Sequence, residues 1–244
     1  MDKAMRKALL AIIAVTVIAS PMHGKPRAWV DGSAVISTAY LWRGDRVTGF
    51  HAAPDLRFHL GKFTLENYSF LALDGSYKEI DWDLSFTVGD FTFHAADYFA
   101  RYDWYDGPED WFSWKKGATN HIDEVALVYD SSAIPFTAKW FTFIWGDWIP
   151  DGEGNPGMAS FSSYLELATY QSFGAFGTGY LIAGASVLKG SYTSYTRNFM
   201  PIHLELRYLK EFKAGSAGIP VGFSFMVNPF ARTCHAAVWV GVSF

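Results

Sequence analysis

Ionisable side chains stand two residues apart at several places in this sequence. Asp55 and Arg57 are spaced this way, as are Asp81 and Asp83, and Glu205 and Arg207, with one apolar residue inside each pair. Arg43, Glu124, Lys139 and Glu166 stand on the polar side of similar runs. A spacing of two puts both members of a pair on one face of a strand. Ten such groups spread over many strands read as a wet, charged wall rather than a catalytic centre. Ionisable groups at membrane depth must pair or be solvated. Six of the ten are acids and four are bases, so an open lumen lined by them should draw cations. Within this wall the sequence predicts one cluster of Glu124, Lys139 and Glu166. It follows from pairing Tyr129 with Phe136, which sets Ala126 opposite Lys139 and leaves Glu124 a diagonal neighbour.

Other chemistry is weakly signalled. Gly-x-Ser-x-Gly, His-Glu-x-x-His and a phosphate-binding Gly-rich loop are all absent. Asp97, Asp103 and His121 could meet at an outer rim as an acid–base set. The plainer reading is a solvated rim, so no catalytic residue is assigned and the chain is read as not an enzyme. Asp147, Asp151, Glu153 and Asn155 faintly follow a calcium loop, but Pro156 replaces the turn glycine and Ser162 the closing Glu. An acidic surface loop is expected there, with no metal and no cofactor. Trp104, Tyr105, Trp111 and Trp114, with Trp148 in the next long loop, could stack on a ligand or partner. Self-packing of the loop is the commoner outcome.

The elements that must position these residues are strands. Alternating segments fall near 32–43, 54–60, 63–73, 80–88, 91–102, 121–129, 136–145, 160–171, 177–188, 199–210, 219–228 and 233–244. The clearest sets Ile80, Trp82, Leu84, Phe86 and Val88 against Asp81, Asp83, Ser85 and Thr87. The register of the third segment is open. Short turns such as 61–62 and 89–90 alternate with long loops, which is how outer-membrane barrels arrange their two ends. The last segment carries Ala236, Val238, Val240, Val242 and Phe244 on one face. A barrel in lipid must close such a strand against its first, so that no backbone edge meets hydrocarbon. The fold class is therefore an all-β, transmembrane, antiparallel up-and-down β-barrel of about twelve strands. At ~4.8 Å between strands and a ~40° tilt, its backbone diameter is roughly 24 Å.

Composition agrees. Of 244 residues 50% are apolar and 18% aromatic, yet mean hydropathy is only +0.06, because alternation hides apolar faces from an average. The formal charge of −4 argues against a nucleic-acid partner. Cys234 is the single cysteine, so no internal disulfide forms. Residues 1–20 read as a secretory signal peptide, with Lys3, Arg6 and Lys7 before an apolar stretch too short to span a bilayer. Residues 21–31 follow as a short mature N-terminal tail, and 32–244 as the barrel.

The stretch Tyr40-Leu41-Trp42-Arg43-Gly44, with Gly49 and Pro54, resembles the first hairpin of the TorF-like porins. The segments at 78–82 and 163–167 are similar to uncharacterised outer-membrane barrels of Bacteroidetes-type bacteria. The terminal strand ending at Phe244 resembles the signal read by the barrel assembly machinery. These resemblances imply a barrel in the outer membrane of a Gram-negative bacterium, among outer-membrane lipid and lipopolysaccharide. They supply no catalytic residues. On the residues alone, Tyr40 and Trp42 belong to an interfacial aromatic girdle. The expected function is a small passive channel, a porin, for small cationic or neutral solutes. The alternative is a closed barrel whose aromatic loops bind a ligand or protein partner, and a barrel enzyme comes third.

Overall fold

The computed structural model describes residues 28–102, 111–151, 153 and 155–244. The signal segment, Asp103, Trp104 and Tyr105 lie outside these residues.

Twelve strands close into one antiparallel barrel. In chain order they are β1 (Ala28–Ser37), β4 (His51–Leu60), β5 (Phe63–Ala72), β6 (Tyr77–Val88), β7 (Phe91–Tyr102) and β8 (His121–Asp130). There follow β9 (Phe136–Trp145), β12 (Ser163–Ser172), β13 (Thr178–Ser186), β14 (Met200–Ala214), β15 (Ala217–Asn228) and β16 (Thr233–Ser243). Each pairs with its neighbours in the chain, and β1 pairs with both β4 and β16, setting Ala34 opposite Val242. Closure gives each of these twelve strands a partner on both sides.

Alternation decides which side chain goes where. Leu56, Phe58, Leu65, Ile80, Trp82, Phe93, Leu206, Phe223, Phe225, Val238 and Val240 are all exposed on the outside. The register continues this face to Leu84 and Phe86, which pair with Leu65 and Phe63. A continuous apolar belt of this size is the surface of a barrel made for hydrocarbon rather than water. No helix among the described residues is long and apolar enough to cross a membrane.

The structure departs from the sequence reading in five places. The first strand ends at Ser37 rather than near 43. The chain then forms a small separate hairpin of β2 (Tyr40–Trp42) and β3 (Asp45–Thr48). The long loop after β9 likewise holds a short hairpin, β10 (Trp148–Pro150) with β11 (Pro156–Ala159). The turn expected over 211–218 shrinks to two residues, because β14 runs on to Ala214. Ile202 was expected on the outer face with Leu204. A β-bulge opposite Gly184 and Ala185 turns it inward, where it is fully buried. Finally, β8 and β9 pair Tyr129 with Ala138, two residues from the expected register, because the turn between them holds five residues. The open register of the third strand resolves with Glu66 paired to Arg57 and Asp83, all on the inner face.

Candidate functional site

The lumen is occupied by the hairpin of residues 38–50. Arg43 and Gly44 form its turn with positive φ angles of 46° and 99°. Glycine is required at the tip, since a Cβ there would lie 2.0 Å from the carbonyl oxygen of Ile202 on β14. The bulge that turns Ile202 inward therefore builds the seat for the tip. The hairpin's root is held on the other side of the barrel. Tyr40 stacks on Phe70 of β5 with ring centroids 3.6 Å apart, beside buried Ala53 and Tyr77.

Arg43 carries the strongest anchor. Its guanidinium makes two parallel hydrogen bonds to Glu124, of 2.5 and 2.7 Å, and a third to the hydroxyl of Tyr192. The two partners are 8% and 2% exposed, so this is a buried ion pair in fork geometry. Tyr98 donates a further bond of 2.7 Å to Glu124. Aromatic rings surround the cation, with Phe141 at 4.1 Å, Trp42 at 4.6 Å and Tyr164 at 5.1 Å from its central carbon. Tyr192 belongs to the loop between β13 and β14. Burial pushes its phenol above its ordinary value, so it stays protonated.

The rest of the wall is mostly neutralised. Arg57 bridges Asp55 and Glu66 and lies 3.7 Å from Asp31, whose other oxygen is 2.9 Å from His59. Asp83 faces His94 at 3.0 Å. Lys139 binds Glu166 at 2.8 Å. Tyr164 links Glu166 to His203, which continues to Glu205 and from there to Arg207 and Ser224.

Two inner carboxylates differ. Glu79 and Asp81 sit two residues apart on β6, 7% and 6% exposed. Oε2 of Glu79 and Oδ1 of Asp81 have no hydrogen-bond partner among the described residues, and neither side chain forms an ion pair there. The groups set against Glu79 are the phenols of Tyr40 and Tyr77.

These two carboxylates face different spaces. A cavity of about 400 Å³ is lined by Asp81, Tyr68, Phe70 and Trp239 and reaches Ser37, Ala39 and His51 at the root of the hairpin. A second, of about 330 Å³, holds Glu79, Tyr77 and Tyr102 and reaches the rim residues Thr119, Asn120 and Gly146. Tyr40, Trp42 and Tyr98 line both. The hairpin therefore separates two chambers of the lumen, with one carboxylate of β6 in each.

Several sequence expectations change here. Tyr40 and Trp42 are not an interfacial girdle; they are the partition inside the barrel. Arg43 lies in the lumen, but on the hairpin rather than the wall. Lys139 meets Glu166, while Glu124 is drawn away to Arg43 because the register shift sets it opposite Phe143. Glu79 and Tyr98 were missed, although parity with Asp81 makes Glu79 legible. Tyr192 carried no such signal.

The surface candidates are spent on packing. Asp97 and His121 do meet, at 2.8 Å, but on the outer face of β7 and β8. Trp114 stacks on the His121 ring at 4.0 Å, and the carbonyl of Trp111 binds its far nitrogen. Trp148 packs on Trp145 at 4.6 Å, with Lys116 over its ring. Asp147 is buried and accepts hydrogen bonds from Ser160 and Tyr195, which joins two long loops. Burial and that bond to Asp147 push the Tyr195 phenol up, so it remains a donor. Asp151 caps its own turn through the backbone N–H groups of Glu153 and Asn155.

No family model matches the chain. No curated protein matches it either, so the likeness to TorF-like porins rests on its short motifs. Solved barrels are similar in fold. The KdgM porin is 8% identical with a TM-score of 0.47, over 89% of this chain and 98% of that one. An outer membrane channel from Pseudomonas putida F1 is 9% identical with a TM-score of 0.43, over 91% and 96%. The CymD monoaromatic hydrocarbon channel is 9% identical with a TM-score of 0.41, over 90% and 88%. At this distance the likeness is one of barrel architecture.

Proposed function

We propose that this chain is an outer-membrane β-barrel of a Gram-negative bacterium that passes small cationic or neutral solutes passively. The hairpin 38–50 sets the size limit. The observation that carries this reading is the divided lumen: two chambers of about 400 and 330 Å³ meet at Tyr40, Trp42 and Tyr98. A closed structural barrel would gain from filling this space with apolar side chains, as cores do. Here the wall keeps charged groups with acids in excess, which favours cations.

The lumen-lining role belongs to Asp55, Arg57, Asp81, Asp83, Glu124, Lys139, Glu166, Glu205 and Arg207, and Arg43 secures the partition. Residues 1–20 act as the export signal, and the strand ending at Phe244 is the recognition element for barrel assembly. No catalysis is proposed, since His121 and Asp97 are used to hold a loop under Trp114. Purified protein in a planar bilayer tests the reading. Discrete conductance steps are expected, with reversal potentials favouring potassium over chloride in a salt gradient. Silence at high protein loading overturns it.

A further inference from the structure

The carboxylates of Glu79 and Asp81 face the two chambers without a cation, whereas the inner carboxylates described above each have a cation or an imidazole beside them. A buried carboxylate with one oxygen unmet and no cation beside it is costly, and sites that keep one commonly meet the countercharge on a ligand. The surroundings indicate which ligand. Asp81 shares its chamber with the rings of Tyr40, Tyr68, Phe70 and Tyr98. Glu79 shares its chamber with Tyr40, Tyr77, Tyr98 and Tyr102. Aromatic faces with one carboxylate suit an ammonium head carrying carbon substituents, because ring faces attract a weakly hydrated cation and the carboxylate supplies the opposite charge. A strongly hydrated metal ion would want several oxygen ligands, and no group of three metal-binding side chains occurs among the described residues. A chamber of about 400 Å³ also falls in the size range of small-molecule sites, about 300–1,000 Å³.

The fixed cations do not compete at close range. Arg207, which also lines the Asp81 chamber, is engaged by Glu205 at 2.6 Å and stands on β14, six strands round the barrel from β6. Arg43 is engaged by Glu124 and Tyr192. Glu79 and Asp81 lie on one face of one strand, about 7 Å apart at the usual rise per residue.

We infer that Glu79 and Asp81 form paired sites for small organic ammonium ions, one on each side of the hairpin, through which such a cation is handed past Tyr40. This rests on the channel reading for the passage, but not for the binding. Choline and its uncharged isostere 3,3-dimethylbutan-1-ol serve as probes, titrated calorimetrically into the full barrel in detergent. Choline is expected to bind at least about tenfold more tightly than the isostere. Asp81→Asn should weaken choline at least about tenfold and leave the isostere unchanged, and Glu79→Gln should do the same for the Glu79 site. Slower migration after boiling, on a denaturing gel, confirms that each variant is folded beforehand. Equal binding of choline and isostere, or wild-type affinity in both variants, overturns the inference. Choline binding by a barrel that is silent in bilayers would retain the sites and remove the channel. Conductance without choline binding would retain the channel and remove the sites.

Discussion

The two sides of the lumen treat buried charge in opposite ways. On the β8 side, Glu124 receives two bonds from Arg43 and one from Tyr98, and aromatic rings cover the pair. On the β6 side, Glu79 and Asp81 are as deeply buried but each keeps an oxygen without a partner. Both sides touch the same hairpin. The first has the composition of an anchor, in which every valence of the charge is met inside the protein. The second has the composition of a site, in which something from outside must complete it. Neither burial nor one unmet oxygen separates these cases, since Asp55 also keeps one beside Arg57; the presence of a cation does.

The largest effect should come from breaking the anchor. Arg43→Ala leaves Glu124 buried without its cation and should cost about 3–5 kcal/mol, measured by urea unfolding in lipid vesicles. Replacing both Arg43 and Glu124 by Met should recover most of that loss, because the stranded charge is gone. If the single variant is as stable as wild type, the hairpin is not anchored there.

A second test fixes which face of β6 points inward, since the comparison depends on it. Leu84→Arg should cost roughly 2–4 kcal/mol if the position lies near the bilayer midplane. Ser85→Arg, one residue on and inward, should cost much less. Equal costs would mean that the strand's faces are misassigned.

Gly44→Ala should come next, at about 1–3 kcal/mol. Its Cβ would meet the Ile202 carbonyl, and its φ of 99° disfavours any side chain. The loss should appear together with a larger conductance, because the tip can no longer seat.

The smallest expected change has the opposite sign. Asp81→Asn replaces a desolvated carboxyl that no cation meets and should leave stability unchanged or raise it by up to about 1 kcal/mol. Glu124→Gln, the same chemical change across the lumen, should destabilise. Destabilisation of similar size by both would erase the distinction between anchor and site.

The barrel itself was legible because a strand's two faces are written locally. Asp81 and Asp83 against Ile80 and Trp82 need no distant partner to be read. The hairpin was not. Tyr40-Leu41-Trp42 alternates like a strand, and nothing in those residues distinguishes a ring aimed at lipid from one aimed at the lumen. That choice is made by Arg43 and Glu124, 81 residues apart in sequence. Ile202 was misplaced for a related reason: one bulge residue inverts a face while leaving the apolar pattern intact. The Lys139 cluster failed in part because a five-residue turn does not set register by itself. Its Lys139–Glu166 half is present because those two are direct cross-strand partners.

The central claim is that the hairpin stands across a conducting lumen. Single-channel conductance of the wild type against a variant with residues 39–49 replaced by a short Gly-Ser link tests it most directly. A several-fold larger conductance with weaker cation preference is expected, since the two chambers merge and Tyr40 and Trp42 leave the path. Identical conductance and selectivity in a folded variant would contradict the claim, because the hairpin would then obstruct nothing.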